Sequence, residues 1–300
     1  MKVLMITGDK RFGPGHERYE LQGAAVERLD MVCWPRGDSL VKIFNMARRG
    51  RYDVITAQDP FWRAHLARHL VQLFGGKINV QVHADLSAEP FHRRLMALYH
   101  LRRAHSVRAV SEKIKQQVLR LAPRARVSVL PVYIDIERFK NIERRPEAGL
   151  VLWLGRFEYE KDPLFALEVI QKVPGARLAM LGGGSLEPAL RACITRLSLE
   201  KKVELAGWQN PVPLLSRAST VLCTSRRESW GASIIEALAA GVPVVAPDVG
   251  VAREAGAIVV PREQLAQKVA EVLQKGAKGE LKLELLSREG WQSAWRQSLI

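Results

Sequence analysis

Residues 226 to 247, RRESWGASIIEALAAGVPVVAP, place carboxylates at Glu228 and Glu236 with seven residues between them. The preceding TVLCTSRRES reads as a strand and a turn, and WGASIIEALAAG reads as a helix closed by Gly241, with Pro243 beyond it as a stop. Glu228 then precedes the helix, near its exposed N–H groups, and Glu236 lies inside it. At about 1.5 Å of rise per residue the two acids stand on the order of 10 Å apart, the scale of a sugar and part of a nucleotide rather than of one proton shuttle. Two separate jobs fit that span. The helix N-terminus between the acids can hold a phosphate through unpaired N–H groups and the helix dipole, while Glu236 accepts bonds from vicinal hydroxyls of a ribose. A charge at a helix start and a solvated helix face are the plainer alternatives for the same residues.

Two further groups stand at the ends of apolar runs. LVLWLGRFEYEKDP ends at Gly155 and then supplies Arg156 and Lys161, a planar fork of donors and a compact charge five residues apart. A diphosphate could use both, although cations after a strand are often only solvated. Gly182, Gly183 and Gly184 end RLAMLG and precede SLEPALRACI. Such a turn lets backbone N–H groups approach an anion, and it is equally a plain tight turn.

These groups need elements to hold them. VLMIT (3–7), DMVCW (30–34), DVITA (53–57), INVQVHA (78–84) and VRAVS (107–111) are short β-branched runs, and in VSVLPVYIDIERF (127–139) a strand runs into a proline. They alternate with helical segments such as RAHLARHLVQLF (63–74) and SEKIKQQVLRLA (111–122), the pattern of parallel α/β structure. The pattern restarts after the polar stretch 140–149 with runs at 150–155, 177–182, 203–208, 220–225 and 243–247. The chain therefore reads as two doubly wound Rossmann-like domains facing each other across a cleft, with ligands outside the C-terminal ends of the strands. Residues 1–140 form the first domain and 141–280 the second. Residues 281–300 form a terminal helix, with Trp291 and Trp295 on one face, packing back toward the first.

Composition narrows the partners. Of a net charge of +15, residues 1–140 carry +12, from 25 Lys and Arg against 13 Asp and Glu. That asymmetry favours a polyanionic partner such as nucleic acid, an anionic membrane surface or a phosphorylated substrate, unless it is only a basic soluble surface. Cys33, Cys193 and Cys223 form no CxxC pair, so they suggest neither a disulfide framework nor a zinc knuckle and fit a reducing cytoplasm. The opening MKVLMIT meets charge too early for a secretory core, and no apolar run is long enough to span a bilayer. His65 and His69 stand at i and i+4 with no third ligand beside them, so no metal site is assigned.

Taken together, Glu228 and Glu236, the GRxxxxK segment of Gly155, Arg156 and Lys161, the triple glycine and EALAAGVPVVAPDVG resemble the retaining GT-B glycosyltransferases of family 4. YDVITAQDP, VQVHADL, RRAHSVRAVSEKIKQQV and VLPVYIDIERF fall in that family's order, so the resemblance covers about residues 1 to 275. It implies transfer of a sugar from a nucleotide-diphosphate donor to a lipid-linked, lipid or saccharide acceptor. By that resemblance Arg156 and Lys161 neutralise the diphosphate, Glu228 contacts the donor sugar and Glu236 holds the ribose. Trp230, Gly231, Ala232 and Ser233 face the phosphates, Gly182, Gly183 and Gly184 belong to the donor site, and His83 reaches across the cleft to the sugar. Gly13 and Gly15 of FGPGHERY stand where relatives often carry a double glycine, and PVYID replaces a PNG-like turn. The chain is also shorter than most members, which implies trimmed acceptor-side loops. No cofactor and no metal is implied; the nucleotide sugar is a co-substrate, with a UDP-sugar favoured over GDP- or ADP-sugars.

FHRRLMALYHLRR sets Arg93, Arg94, Arg102 and Arg103 around apolar residues. It is an amphipathic basic segment able to lie on anionic lipid, or a core-packed helix with a solvated basic edge. The first option predicts a cytoplasmic, peripheral enzyme. Two other functions compete: a nucleotide-sugar epimerase of the same fold, and a nucleic-acid-binding protein, for which no motif is visible.

Overall fold

The computed structural model describes residues 1–10, 12–35 and 37–300. It divides into two compact units, residues 1–133 with 285–300, and residues 134–284. The polar stretch 140–149 thus lies inside the second unit, where Phe139 just before it is buried.

The first unit carries six parallel strands: β1 (Lys2–Thr7), β2 (Arg28–Cys33), β3 (Val54–Ala57), β4 (Lys77–Val82), β5 (Ser106–Ala109) and β6 (Val127–Val129). Their order is β2-β1-β3-β4-β5-β6. Helices α1 (Glu17–Gly23), α2 (Leu40–Gly50), α3 (Trp62–Phe74), α4 (Phe91–Leu101) and α5 (Glu112–Leu121) are its crossovers. Leu4, Ile6, Ile55, Val80 and Val82 are buried on one face against Ile43, Leu70, Leu101 and Ile114. The other face, with Val3, Met5 and Val54, is covered by Trp291, Trp295 and Leu299. The last helix of the chain, numbered below, therefore belongs to this unit. Burying side chains of this size stabilises by roughly 1.5–3 kcal/mol each.

The second unit holds α6 (Glu137–Lys140), β7 (Leu150–Leu154), α7 (Pro163–Gln171), β8 (Arg177–Leu181), α8 (Glu187–Arg196), β9 (Val203–Gly207) and α9 (Val212–Arg217). It continues with β10 (Thr220–Leu222), α10 (Ala232–Ala239), β11 (Val244–Ala246), α11 (Ala252–Ala255), β12 (Ile258–Val259) and α12 (Leu265–Lys275). Helix α13 (Arg288–Ser298) returns to the first unit. The second sheet runs β12-β11-β10-β7-β8-β9, all parallel. From its other edge this is the doubly wound order 3-2-1-4-5-6, and its direction reverses between β7 and β10. In doubly wound sheets a ligand binds outside the carboxyl ends of the strands at such a reversal, here those of β7 and β10.

The loop after β8 is fixed by glycine. Gly182 has φ +152, its N–H donates to the Gly207 carbonyl at 3.0 Å, and a Cβ there would sit 1.8 Å from the Gly155 carbonyl oxygen. Gly182 therefore supplies close backbone approach between the turns after β7 and β8, and its N–H is not available to a ligand. Gly182→Ala is expected to lower stability by about 2–4 kcal/mol, read from the urea midpoint.

Candidate functional site

The turns after β7 and β10 bring together residues that the sequence holds far apart. After β10 the chain runs through Cys223, Thr224 and Ser225 to Glu228; after β7 it turns through Arg156 to Lys161. Lys161 Nζ donates to Glu228 Oε1 in an ion pair. Ser225 Oγ donates to the same oxygen at 2.7 Å. The Glu228 side chain is only 9% exposed. Two charges so far from water are tolerable only as a bonded pair. Both bonds run to Oε1, so Oε2 has no protein partner among the described residues, and two of the three Lys161 N–H donors remain.

Several contacts set this geometry. Thr224 Oγ1 lies 3.1 and 2.9 Å from the Lys161 and Asp162 carbonyls and takes a bond from buried Trp153 Nε1 at 2.9 Å, which clamps the β7 turn to the end of β10. Asp162 adopts the left-handed conformation at φ 48, before Pro163 at the start of α7. An Asp before a first-turn Pro is ordinarily a helix cap. Here its carboxylate turns away and pairs with Arg226 at 2.8 Å and with Arg262. Arg262 also donates to the Thr224 carbonyl. Cys223, beneath the pair, has its thiol pKa pushed up by burial first and then by the Glu228 charge.

The anion-accepting groups are distributed around this pair. Arg156 is exposed at the first bend after β7. Helix α10 begins at Ala232, with Trp230 and Gly231 ahead of it, Gly231 at φ +102, and no side chain capping it. The N–H groups of Ala232 and Ser233 are bonded to nothing in the protein among the described residues. Together they make a short row of donors at the positive end of a helix. Glu236 follows one turn later, half-buried. In the β8 loop the N–H groups of Gly183 and Gly184 are likewise unbonded, while the Gly183 carbonyl accepts from Phe157 N–H at 3.0 Å. Ser185 donates to Glu158 through its N–H at 3.0 Å and its hydroxyl at 2.6 Å, and these two bonds hold the Glu158 carboxyl below its ordinary range. Among the described residues, no cluster of three or more His, Cys, Asp and Glu is arranged to hold a metal.

Sequence reasoning missed Ser225, Asp162, Arg262 and Thr224. Only the Asp162–Pro163 step carried a local signal, and it pointed to a cap.

His83, Gly13 and Gly15 lie in the first unit. Gly15, at φ +85, spends its N–H on the Glu20 carboxylate at 2.8 Å, so that donor is not available to a ligand. His83 ends a polar stripe along β4. Asn79, Gln81 and His83 share a face by the two-residue period. Thr56 stands opposite Asn79, Ser106 opposite Asn79 on the other side, and Arg108 opposite Gln81. Thr56 Oγ1 donates to Asn79 Oδ1 at 2.7 Å, and Gln81 Nε2 donates to Thr56 Oγ1 at 3.0 Å. Gln81 Oε1 then accepts from Arg108 Nη1 at 3.0 Å and lies 3.2 Å from His83 Nε2. Since Oε1 is an acceptor only, His83 carries its proton on Nε2 and offers Nδ1 as a lone pair. Desolvation first, then the charges of Arg108 and Arg18, push the His83 pKa down to about 3. Arg108 is buried beside Trp291, donates also to the Leu130 and Pro131 carbonyls, and falls to about 9.

The basic segment forms α4 and its C-terminal turn. Arg93, Arg94, Arg102 and Arg103 are all exposed, but Arg93 bends back to Glu89 at 3.0 Å and over the Phe61 ring at 4.0 Å.

Among solved structures, the chain matches the Anabaena HepE complex with UDP-glucose at TM-score 0.78 and 19% identity, covering 100% of this chain and 95% of that one. It matches sucrose-phosphate synthase from Thermosynechococcus elongatus at 0.76 and 17%, covering 99% and 94%. Two six-stranded parallel sheets with flanking helices, matched to these structures over nearly the whole chain, place it in the GT-B class of α/β proteins. Residues 6–138 match Glycosyltransferase Family 4 and residues 148–275 match Glycosyl transferases group 1. The chain belongs to this group 1, family 4 glycosyltransferase family.

Two curated relatives fix the distance. The lipopolysaccharide core biosynthesis glycosyltransferase LpsE of Rhizobium meliloti (strain 1021) is 26% identical over 242 residues, 76% of this chain and 66% of that protein. The GDP-mannose:cellobiosyl-diphosphopolyprenol alpha-mannosyltransferase of Xanthomonas campestris is 28% identical over 179 residues, 55% and 47% of the two. These alignments take in less than two thirds of either relative.

Lys161→Met leaves Glu228 buried without its cation and is expected to cost about 2–4 kcal/mol of stability, most of it recovered when Glu228→Gln is added. Equal losses in the single and double variants, by urea unfolding, would show that the pair is not coupled. His83, neutral down to about pH 3, is expected to show no imidazole titration by NMR between pH 5 and 8. Because an unfolded histidine takes up a proton near pH 6.5 and folded His83 does not, its contribution to stability is lost as pH falls from about 6.5 toward 3.

Proposed function

We propose that the protein is a retaining glycosyltransferase that moves a sugar from a nucleotide-diphosphate donor to a lipid-linked, lipid or saccharide acceptor. The observation that carries this reading is the Lys161–Glu228 pair set at the reversal of the second sheet, between Arg156 and the uncapped start of α10. In it the diphosphate lies against Arg156, the remaining Lys161 donors and the N–H groups of Ala232 and Ser233. Those groups gain strength as negative charge grows on the departing phosphate, which is electrostatic stabilisation of the transition state without an obligatory metal. Glu228 Oε2 accepts from a donor-sugar hydroxyl, Glu236 accepts from the ribose, and the Gly183 and Gly184 N–H groups border the same site. The acceptor hydroxyl takes the sugar carbon on the face the diphosphate leaves, and its proton passes to the departing phosphate. His83 offers a neutral ring with Nδ1 open to a hydroxyl.

Named partners of relatives support the donor class. The Anabaena neighbour is solved with UDP-glucose, and the Xanthomonas relative is named for GDP-mannose and a diphosphopolyprenol acceptor. A UDP-sugar is favoured, with a cytoplasmic site of action.

The test is nucleotide release from UDP-, GDP- and ADP-sugars, with and without a lipid or oligosaccharide extract. Release is expected with one donor, to rise with acceptor, and to fall at least about a hundredfold in Glu228→Gln, since one removed transition-state contact costs on this order. Conversion of the donor without any acceptor would favour the epimerase. No release, together with no nucleotide-induced rise in melting temperature, would end the reading.

A further inference from the structure

Helix α4 turns its apolar residues the wrong way for a helix whose outer face meets only water. Ala97, His100 and Leu101 are buried toward the core. On the opposite side Phe91, Leu95 and Tyr99 line up four residues apart, and they are 74%, 48% and 43% exposed. A surface helix ordinarily places charge there. Cations flank this line instead. Arg94 has no ion-pair partner among the described residues, and Arg103 stacks its guanidinium 4.0 Å from the centre of the Tyr99 ring, with Arg68 at 5.3 Å. Residues 91–103 contain no Asp or Glu at all. The neighbouring helix α3 adds Trp62, 61% exposed, whose ring meets His65, which in turn meets His100 of α4.

We infer that this face of the first unit docks on the surface of an anionic lipid bilayer. The chemistry of the residues separates this partner from others. A phosphate-rich polymer such as nucleic acid would satisfy the arginines and leave Phe91 and Leu95 in water. An apolar protein groove would take Phe91 and Leu95 and leave Arg94, Arg102 and Arg103 without counter-charge. A bilayer surface offers both at the right depths: acyl chains for Phe91 and Leu95, the interfacial layer for Tyr99 and Trp62, and lipid phosphates for Arg94, Arg102 and Arg103. Arg93, turned back onto Glu89 and Phe61, is not part of the contact. The excess of +12 in residues 1–140 adds long-range attraction of the same sign. Among the described residues no helix is long and apolar enough to cross a membrane, so the contact is interfacial. The inference goes beyond the reading of the second unit's site and does not depend on it.

The experiment is co-sedimentation of the full chain with two kinds of vesicle, pure phosphatidylcholine and equal parts phosphatidylcholine and phosphatidylglycerol. Binding to the anionic vesicles is expected to exceed binding to the neutral ones by at least about tenfold and to weaken with salt. The double variant Phe91→Ser with Leu95→Ser is expected to lose about tenfold of that binding with its melting temperature unchanged, because both side chains already face solvent. Arg94→Glu with Arg103→Glu is expected to remove the preference for anionic vesicles. Failure of the unaltered chain to sediment with anionic vesicles overturns the inference, as does equal binding by the serine variant. Tight binding to duplex DNA or RNA without vesicle binding overturns it too. Nucleotide release with a water-soluble acceptor, measured on the same preparations, is expected to be unchanged by the serine substitutions, which keeps failure here distinct from failure of the transferase reading.

Discussion

A carboxylate and an ammonium withdrawn from water must find each other, and the second unit is organised around that requirement at Glu228 and Lys161. The two residues come from turns after different strands, so the pair forms only when β7 and β10 lie side by side, as their register of Thr220 with Val151 places them. Everything near the pair limits its freedom. Ser225 holds the carboxylate from below, Thr224 bridges the two turns, and Asp162, in a backbone conformation few residues adopt, is anchored by two arginines. A loose pair would collapse onto solvent or swing apart. This one leaves a carboxylate oxygen and two ammonium donors in fixed directions, and a binding site needs such preorganisation.

The first unit solves a related problem without a carboxylate. Arg108 is buried with neutral acceptors only: the carbonyls of Leu130 and Pro131 and the Gln81 amide, beside the Trp291 ring. Burial pulls its pKa to about 9, low for an arginine yet high enough to keep the charge at neutral pH. The Pro131 carbonyl also accepts from Trp291 Nε1 at 2.9 Å, so the same oxygen joins the exit from β6 to α13. Asn79 reaches α13 as well, through the Ser298 carbonyl at 2.8 Å. A row of amides and hydroxyls across three parallel strands admits few registers, because a slip would strand each of them without a partner. The state of His83 is a consequence of this row and not of its own pKa alone.

The strands were legible because parallel strands buried on both faces must be short β-branched runs, and most of those runs are where the sequence places them. The exception is β12, two residues long, which offers no run to see. Arg156, Lys161, Glu228 and the start of α10 were legible as separate chemical groups at strand ends, because charge and glycine concentrate there against the apolar runs. That Lys161 and Glu228 bond to each other was not legible, because 67 residues separate them and only the strand order makes them neighbours. Nor was the direction of Asp162, whose local signal as a cap is outweighed by two arginines from later in the chain. The stripe of Asn79, Gln81 and His83 went unread in INVQVHA, although three polar residues at period two in an otherwise apolar run carry that signal. The outward line of Phe91, Leu95 and Tyr99 needed the structure, since a period of four does not say which side of a helix meets the core.

Bulk charge and local chemistry report on different parts of this molecule. Residues 141–300 carry only +3 of the total charge, yet they hold the Lys161–Glu228 pair and the uncapped start of α10. An anion held by backbone N–H groups at a helix start needs few cations, so net charge is a poor guide to such groups. Residues 1–140 carry +12, spread over helices whose arginines mostly face solvent. A diffuse field of that kind cannot position a reacting atom, but it acts over a Debye length of about 8–10 Å and so can gather and orient the protein at an extended anionic surface. A fixed pair that positions atoms and a diffuse field that attracts from a distance are thus separable in physics, and each unit of this chain carries one of them.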